Sequence, residues 1–308
     1  MGDSKVVLLM ATYNGEQFLA SQLDSIVAQT HTNWELWVSD DASEDKTWNI
    51  LKEYQERLGG DKVHMQSGPG KGFAANFLSL ITNPRAKGSF YAYSDQDDFW
   101  EPYKLQRAID WLATIPSDRP ALYCSRTRLI DEKGLDIGYS QLFKKEPGFL
   151  NALVQNIAGG NTMVFNQAAL ELLRKSGENL SIVAHDWWTY LLVSGADGAL
   201  LYEPNPSVRY RQHNHNVMGS NLGWQARFMR IFMMLKGRSK NWNDLNIQAL
   251  MSVESVLTEK NRQVVQKFKS IKNSPLLFRV IHTKKLGIYR QTLLGNIGLV
   301  VATLLKKM

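Results

Sequence analysis

The chain has 308 residues, 36 of them Lys or Arg and 29 Asp or Glu, for a net charge of +7. Hydrophobic residues at 44 % and aromatics at 10 % are ample for a buried core, which excludes disordered, collagenous and low-complexity classes. The single cysteine, Cys124, excludes an intrachain disulfide or a cysteine-built zinc cluster and fits a reducing compartment.

Residues 5–11 (KVVLLMA) form a nearly continuous apolar run, as expected of a strand buried on both faces of a parallel sheet. The run is too short for a secretory signal or a membrane span, so the reading is of a soluble, cytoplasmic chain. The polar turn Thr12, Tyr13, Asn14 and Gly15 follows, and Phe18, Leu19, Leu23, Ile26 and Val27 then recur at helical spacing. The unit repeats with a strand at 35–39 (ELWVS), a turn at Asp40, Asp41, Ala42 and Ser43, and a helix striped by Trp48, Leu51, Tyr54 and Leu58. Asp45 reads as a helix cap. Residues 63–66 suggest a third strand, ahead of a glycine-rich segment at 68–72 and a further helix. That segment matches neither a dinucleotide fingerprint nor a P-loop, so it is either a flexible loop over a ligand or a plain turn. Lys71 within it is either a phosphate contact or a solvated lysine. A fourth strand, Phe90–Ser94, leads into Asp95, Gln96, Asp97 and Asp98. The β-α-β-α-β-α-β order predicts an α/β fold with a mostly parallel sheet flanked by helices.

Ligands of open parallel sheets bind outside the carboxyl ends of the strands. Five carboxylates at two such ends (Asp40, Asp41, Asp95, Asp97 and Asp98) repel one another unless a cation sits between them. A divalent ion with a phosphorylated ligand meets that need, and oxygen ligands favour Mg2+ or Mn2+ over zinc. Farther on, His185 and Asp186 precede Trp187 and Trp188, where an acidic residue serves equally as a helix cap. A strand at 207–210 runs into Arg211, Gln212, His213, Asn214 and His215, a polar cluster in a chain with only 6 histidines.

The charge is unevenly distributed: residues 1–224 hold 20 basic and 26 acidic side chains, residues 225–308 hold 16 and 3. Phe228, Ile231, Phe232 and Leu235 alternate with basic residues in the pattern of an interfacial helix. Residues 293–305 are apolar but too short to span a bilayer. The expectation is a helical C-terminal extension, 221–308, lying on an anionic membrane surface or packing on the catalytic half or a second subunit of a homo-oligomer. No nucleic-acid motif occurs, and the acidic half repels a polyanion, so no nucleic acid is expected as partner.

In order and spacing, VVLLMATYNGEQFLASQLDSI, WVSDDAS, GKGFAANF and YAYSDQDDFW resemble the donor-binding half of glycosyltransferase family 2. The resemblance implies a nucleotide-diphospho-sugar transferase (GT-A) fold over residues 1–220. It implies that Thr12, Tyr13, Asn14, Asp40 and Asp41 line the nucleoside pocket and that Asp95 and Asp97 fill the Asp-x-Asp places. Asp97 then takes the metal, with Asp98 as auxiliary, and Asp186 takes the place of the catalytic base of an inverting enzyme. The YRQH segment is similar to those of polysaccharide rhamnosyltransferases, which makes His213 a third metal ligand and Arg211 a diphosphate contact. An ordinary polar loop is the alternative there. The glycines at 159 and 160, followed by Asn161 and Thr162, resemble the family's loop near the sugar and acceptor. Ala42 stands where the family often has glycine. Absence of a Gln-x-x-Arg-Trp motif and of a run of membrane helices argues for single-sugar addition rather than processive synthesis.

The expectation is therefore a metal-dependent transferase moving one sugar, rhamnose from a dTDP donor, onto a lipid-linked or growing surface polysaccharide. A UDP-hexose transferase and a non-catalytic membrane adaptor are the alternatives. A nucleotidyltransferase would place a basic glycine-rich loop directly after the first strand, where this chain has TYNG.

Overall fold

A computed structural model describes residues 4–177, 180–213 and 238–307. Its main sheet has seven strands in the order β10-β6-β9-β4-β1-β2-β3. These are β1 (Val6–Thr12), β2 (Trp34–Asp40), β3 (Val63–Ser67), β4 (Phe90–Ser94), β6 (Ala121–Ser125), β9 (Val164–Asn166) and β10 (Ala199–Glu203). All pairings are parallel except those of β9, which runs antiparallel between β4 and β6. The sheet is mostly parallel, as the element order predicts.

The apolar run of β1 is buried on both faces because helices cover both. Val6, Leu8 and Met10 join one core with Leu19, Leu23 and Ile26 of α1 (Leu19–Val27) and Leu51 of α2 (Thr47–Leu58). Leu105, Ala108 and Leu112 of α4 (Lys104–Leu112) complete that layer. Val7 and Leu9 join the opposite core with Phe77 and Ile81 of α3 (Phe73–Thr82). To it α6 (Gln167–Ser176) adds Leu170 and Leu173, and α7 (His185–Gly195) adds Trp188 and Leu192. The short α5 (Phe149–Ala152) packs at its margin through Phe149.

A second sheet, in the order β5-β11-β7-β8, consists of β5 (Phe99–Trp100), β7 (Arg128–Ile130), β8 (Asp136–Tyr139) and β11 (Val208–Arg211). It acts as a clamp. β5 starts directly after the Asp95–Asp98 turn and pairs antiparallel with β11, Phe99 opposite Arg209 and Trp100 opposite Val208. An Arg209–Glu101 ion pair at 2.7 Å seals the junction. The end of β11 is thereby brought against the acidic turn.

The C-terminal helices are α8 (Arg238–Ser252), α9 (Glu259–Asn273), α10 (Leu276–Leu286) and α11 (Leu293–Leu304). Leu250, Val265, Phe268 and Leu299 from them join the same core as Trp188. The packing is close at Gly195, where an added Cβ would come within 2.5 Å of Leu257. The amphipathic segment expected at 228–235, along with Asn214 and His215, lies outside the described residues.

After Asp40 the chain turns sharply, and Ala42 takes a left-handed conformation at φ 68°. A Cβ is disfavoured there, so glycine would take this conformation with less strain. Ala42→Gly is expected to stabilise the fold by about 0.5–1 kcal/mol, relief of strain exceeding the added chain entropy. A rise in Tm checks this, and an unchanged or lower Tm contradicts it.

Candidate active site

The carboxyl ends of β1, β2 and β4 form one edge, and the polar turns predicted to matter meet there. At the end of β1, Thr12 Oγ1 donates to Asp40 Oδ2 at 2.8 Å. Asp40 also accepts from Ser43, from its amide at 2.9 Å and its hydroxyl at 2.6 Å. Asp41 points the other way, and its two oxygens accept the Gly70 and Gly72 amides at 2.6 and 2.8 Å. Asp41 thus anchors the glycine loop, with Lys71 exposed between the two anchored amides. This geometry makes Asp41 an anchor of the glycine loop.

Tyr13 is 58 % exposed at the rim. Its backbone is gripped by the side-chain amide of Gln96, which accepts from Tyr13 N at 2.8 Å and donates to Tyr13 O at 2.9 Å. The first turn and the Asp95–Asp98 turn are thereby locked together, with Gln96 so close that a Cβ at Gly15 would fall 2.5 Å from its Oε1. Asn14, at φ 48°, completes the turn by accepting the Glu44 amide at 2.9 Å.

The β5–β11 pairing sets the acidic turn against Arg211 and His213. Asp97 Oδ2 and His213 Nε2 lie 2.7 Å apart, with side chains 17 % and 9 % exposed. The His213 ring rests on Phe18, centroids 5.1 Å apart. Asp98 is buried and turned into the protein, accepting from Asn161 Nδ2 at 2.6 Å and Arg211 N at 3.2 Å. In this place it supports the turn. The Arg211 guanidinium donates to the carbonyls of Asp97 at 3.1 Å and Glu132 at 3.1 Å and covers the Phe18 ring at 4.7 Å. It ties the acidic turn to the β7–β8 hairpin.

Asp186 opens α7 on the opposite wall. It accepts from Trp187 N at 2.6 Å and Gly160 N at 3.2 Å, and the Asn156 side chain bonds it as well. Burial pushes its carboxyl up to about 6. Across the cleft, burial and then the charges of Asp97 and Asp186 push the Asp95 carboxyl up to about 8. The same causes, burial and the charges of Asp97 and Asp95, raise Asp98. Behind Asp98, Lys104 is wholly buried with its ammonium 3.6 Å from the centroid of the Trp100 ring. Desolvation lowers Lys104 to about 7 against the opposing pull of Asp98.

His185 is no second base. Its ring stacks on Phe77 with centroids 3.6 Å apart and meets Tyr93 edge-on at 4.6 Å. Neither ring nitrogen has a hydrogen-bond partner, and burial lowers its pKa to about 3, so it stays neutral. It is an aromatic wedge that seats Asp186, and only glycine fits opposite: a Cβ at residue 160 would meet His185 Nε2 at 2.4 Å. Gln96 and Asn156 escape the sequence reading as site residues, and Asn161 enters it only as part of a loop; they hold Tyr13, Asp186 and Asp98 respectively. A bulky amide inside the Asp-x-Asp motif is the one signal that marks Gln96 in advance.

Among the described residues no group of three His, Cys, Asp or Glu side chains is placed to hold a metal ion. The Asp97–His213 pair offers one oxygen and one nitrogen at one point, which suits Mg2+ or Mn2+ when phosphate oxygens supply most remaining ligands.

Residues 7–174 match the model of glycosyl transferase family 2. The chain is 30 % identical over 240 residues to the dTDP-rhamnosyl transferase RfbG of Shigella flexneri, covering 72 % of this chain and 78 % of that protein. It is 28 % identical over 228 residues to an uncharacterized glycosyltransferase, RT0329, of Rickettsia typhi, covering 70 % and 67 %. Among solved structures, S. aureus TarS 1–349 in complex with UDP-GlcNAc aligns with a TM-score of 0.55 at 15 % identity, covering 92 % of this chain and 88 % of that one. That likeness establishes the fold. An acidic turn facing a lone buried carboxylate across a GT-A sheet edge, in a chain so matched, places it in glycosyl transferase family 2 as an inverting, nucleotide-sugar-dependent glycosyltransferase.

Proposed function

We propose that this cleft transfers one sugar, rhamnose from a dTDP donor, to a hydroxyl of a lipid-linked or growing surface polysaccharide at the inner face of the cell membrane. The reading is carried by one observation: the adjacent residues Gly160 and Asn161 bond Asp186 at 3.2 Å and Asp98 at 2.6 Å, so the Asp95–Asp98 turn and Asp186, distant in sequence, meet at one place. The choice of dTDP-rhamnose rests on the similarity to RfbG.

In this reading the exposed Tyr13 ring offers a stacking face to the base. Asp40, held by Thr12 and Ser43, keeps acceptor capacity for a base N–H. Asn14 shapes the nucleoside pocket, Asp95 lies toward the ribose, and Lys71 on the anchored loop reaches the diphosphate. Asp97 and His213 would hold a divalent cation, which supplies charge stabilisation to the departing diphosphate. Arg211 and Asp98 hold Asp97 in place.

Asp186 is the base. The acceptor oxygen forms a bond to the anomeric carbon while the bond from that carbon to the diphosphate breaks on the opposite face. The hydroxyl proton passes to the Asp186 carboxylate, and the electron pair leaves with the nucleoside diphosphate. A base with a pKa near 6 is ionised at neutral pH yet basic enough to accept the proton.

Four outcomes test this. Thermal stabilisation by dTDP-rhamnose with Mn2+ or Mg2+, lost in Asp97→Ala, is expected. A stronger response to a UDP-hexose would replace the donor, and silence toward every nucleotide sugar would remove the donor site. Asp186→Asn is expected to lower kcat by about 10²–10⁴-fold without loss of donor binding. In the intact enzyme kcat/KM should rise about tenfold per pH unit below about 6 and level off above, because only the ionised carboxylate takes the proton. A profile flat across that region contradicts the assignment. Gln96→Ala, which removes two hydrogen bonds to Tyr13, is expected to raise the donor KM about tenfold. An equal fall in Tm-corrected stability with unchanged KM would make the clamp merely structural.

A further inference from the structure

The last two helices are built inside out. α10 and α11 lie antiparallel, joined by Arg279, whose Nη1 donates to the Thr303 carbonyl at 2.9 Å. Toward the protein the pair buries Leu299 and Ala302 together with the polar Arg279, Thr283 and Thr303. Toward solvent it turns Leu277 (75 % exposed), Phe278 (59 %), Leu293 (78 %) and Leu294 (72 %), and Ile297 and Val300 continue the stripe. A helix on a water-facing surface has the reverse arrangement, and a contiguous apolar patch of this kind marks an interaction surface.

Charge identifies the occupant. Residues 260–308 contain 11 Lys or Arg and no Asp or Glu. Lys284 and Lys285, in the last turn of α10, and Lys306, just past α11, are exposed beside the apolar stripe. A second copy of the chain on this face would set these cations against their equivalents, whereas an anionic lipid surface attracts them and accepts the apolar side chains. No described helix is long and apolar enough to cross a bilayer, so the pair would lie along the surface.

We propose that the outer face of α10 and α11 docks on an anionic lipid bilayer, with Leu277, Phe278, Leu293, Leu294 and Ile297 in the interfacial layer. The connection between the two helices ties this surface to the active site. Asn151 Nδ2 donates to Tyr289 O at 3.1 Å, and Gln291 N donates to Gln155 Oε1 at 2.9 Å. The next residue, Asn156, bonds Asp186. The docking face thus rests on the loop that supports the base, beside the expected place of a lipid-linked acceptor. The inference rests on the transferase reading only for that last point.

The test is co-sedimentation of the full chain with vesicles of phosphatidylglycerol and phosphatidylcholine, against vesicles of phosphatidylcholine alone, with no donor present. Binding to the anionic vesicles is expected, falling about tenfold or more in Lys284→Glu/Lys285→Glu and in Leu277→Asp/Leu294→Asp, each with an unchanged circular dichroism spectrum. The charge-reversal pair alters only exposed side chains and decides the matter alone if the apolar pair misfolds. Failure of the intact chain to bind, or equal binding by both variants, overturns the proposal. So does a concentration-dependent dimer that dissolves in the apolar variant while lipid binding is unaltered. Binding is read without turnover, so docking fails or stands separately from the transferase reading.

Discussion

Four carboxylates in one cleft impose the constraint from which the rest of the architecture follows. Asp95, Asp97, Asp98 and Asp186 repel one another, and burial raises the cost by removing water from the charges. The fold meets the repulsion with directed donors. Asn161 and the Arg211 amide hold Asp98, the Gly160 and Trp187 amides hold Asp186, and His213 holds Asp97. Burial first, and neighbouring charge second at Asp95 and Asp98, raises the carboxyls of Asp95, Asp98 and Asp186. A site that is uncomfortable when empty binds opposite charge more strongly.

That arrangement needs two sheets. The parallel sheet brings β1, β2 and β4 to a common edge, and the small sheet folds β11 back on β5 so that Arg211 and His213 arrive beside Asp97. Close approaches set the tolerances. Glycine at 160 lets His185 seat Asp186, and glycine at 15 lets the Gln96 clamp reach Tyr13. The C-terminal helices complete the same core, so the basic segment is structural as well as apolar on its outer face.

The features legible in the sequence are local ones. Apolar runs marked β1 through β4, their polar ends marked the cleft, and three acids in four residues marked the Asp95–Asp98 turn. Asp186 was legible only through resemblance, because one acid at a helix start is also an ordinary cap. The sequence could not reveal what each polar group faces across long loops. Asp41 looks equivalent to Asp40 in the chain, yet it bonds the glycine loop while Asp40 bonds Thr12 and Ser43. The carbonyls of Asp97 and Glu132 that Arg211 meets, and the Asp98 carboxylate that Asn161 meets, come from distant segments that no local pattern links to them. The inverted faces of α10 and α11 emerge only when the helices are placed against the core, since composition alone does not say which side is covered.

The most direct test of the account is a crystal structure of the chain with Mn2+ and a nucleoside diphosphate sugar. The expected complex has Mn2+ on Asp97 and His213 with the diphosphate on the metal, the base against Tyr13 and the anomeric carbon facing the Asp186 carboxylate. A diphosphate lodged elsewhere, such as the cleft lined by Lys5, Trp37, Arg85 and Lys87, or a sugar held away from Asp186, would contradict the central claim that the opposed carboxylates form the transfer site.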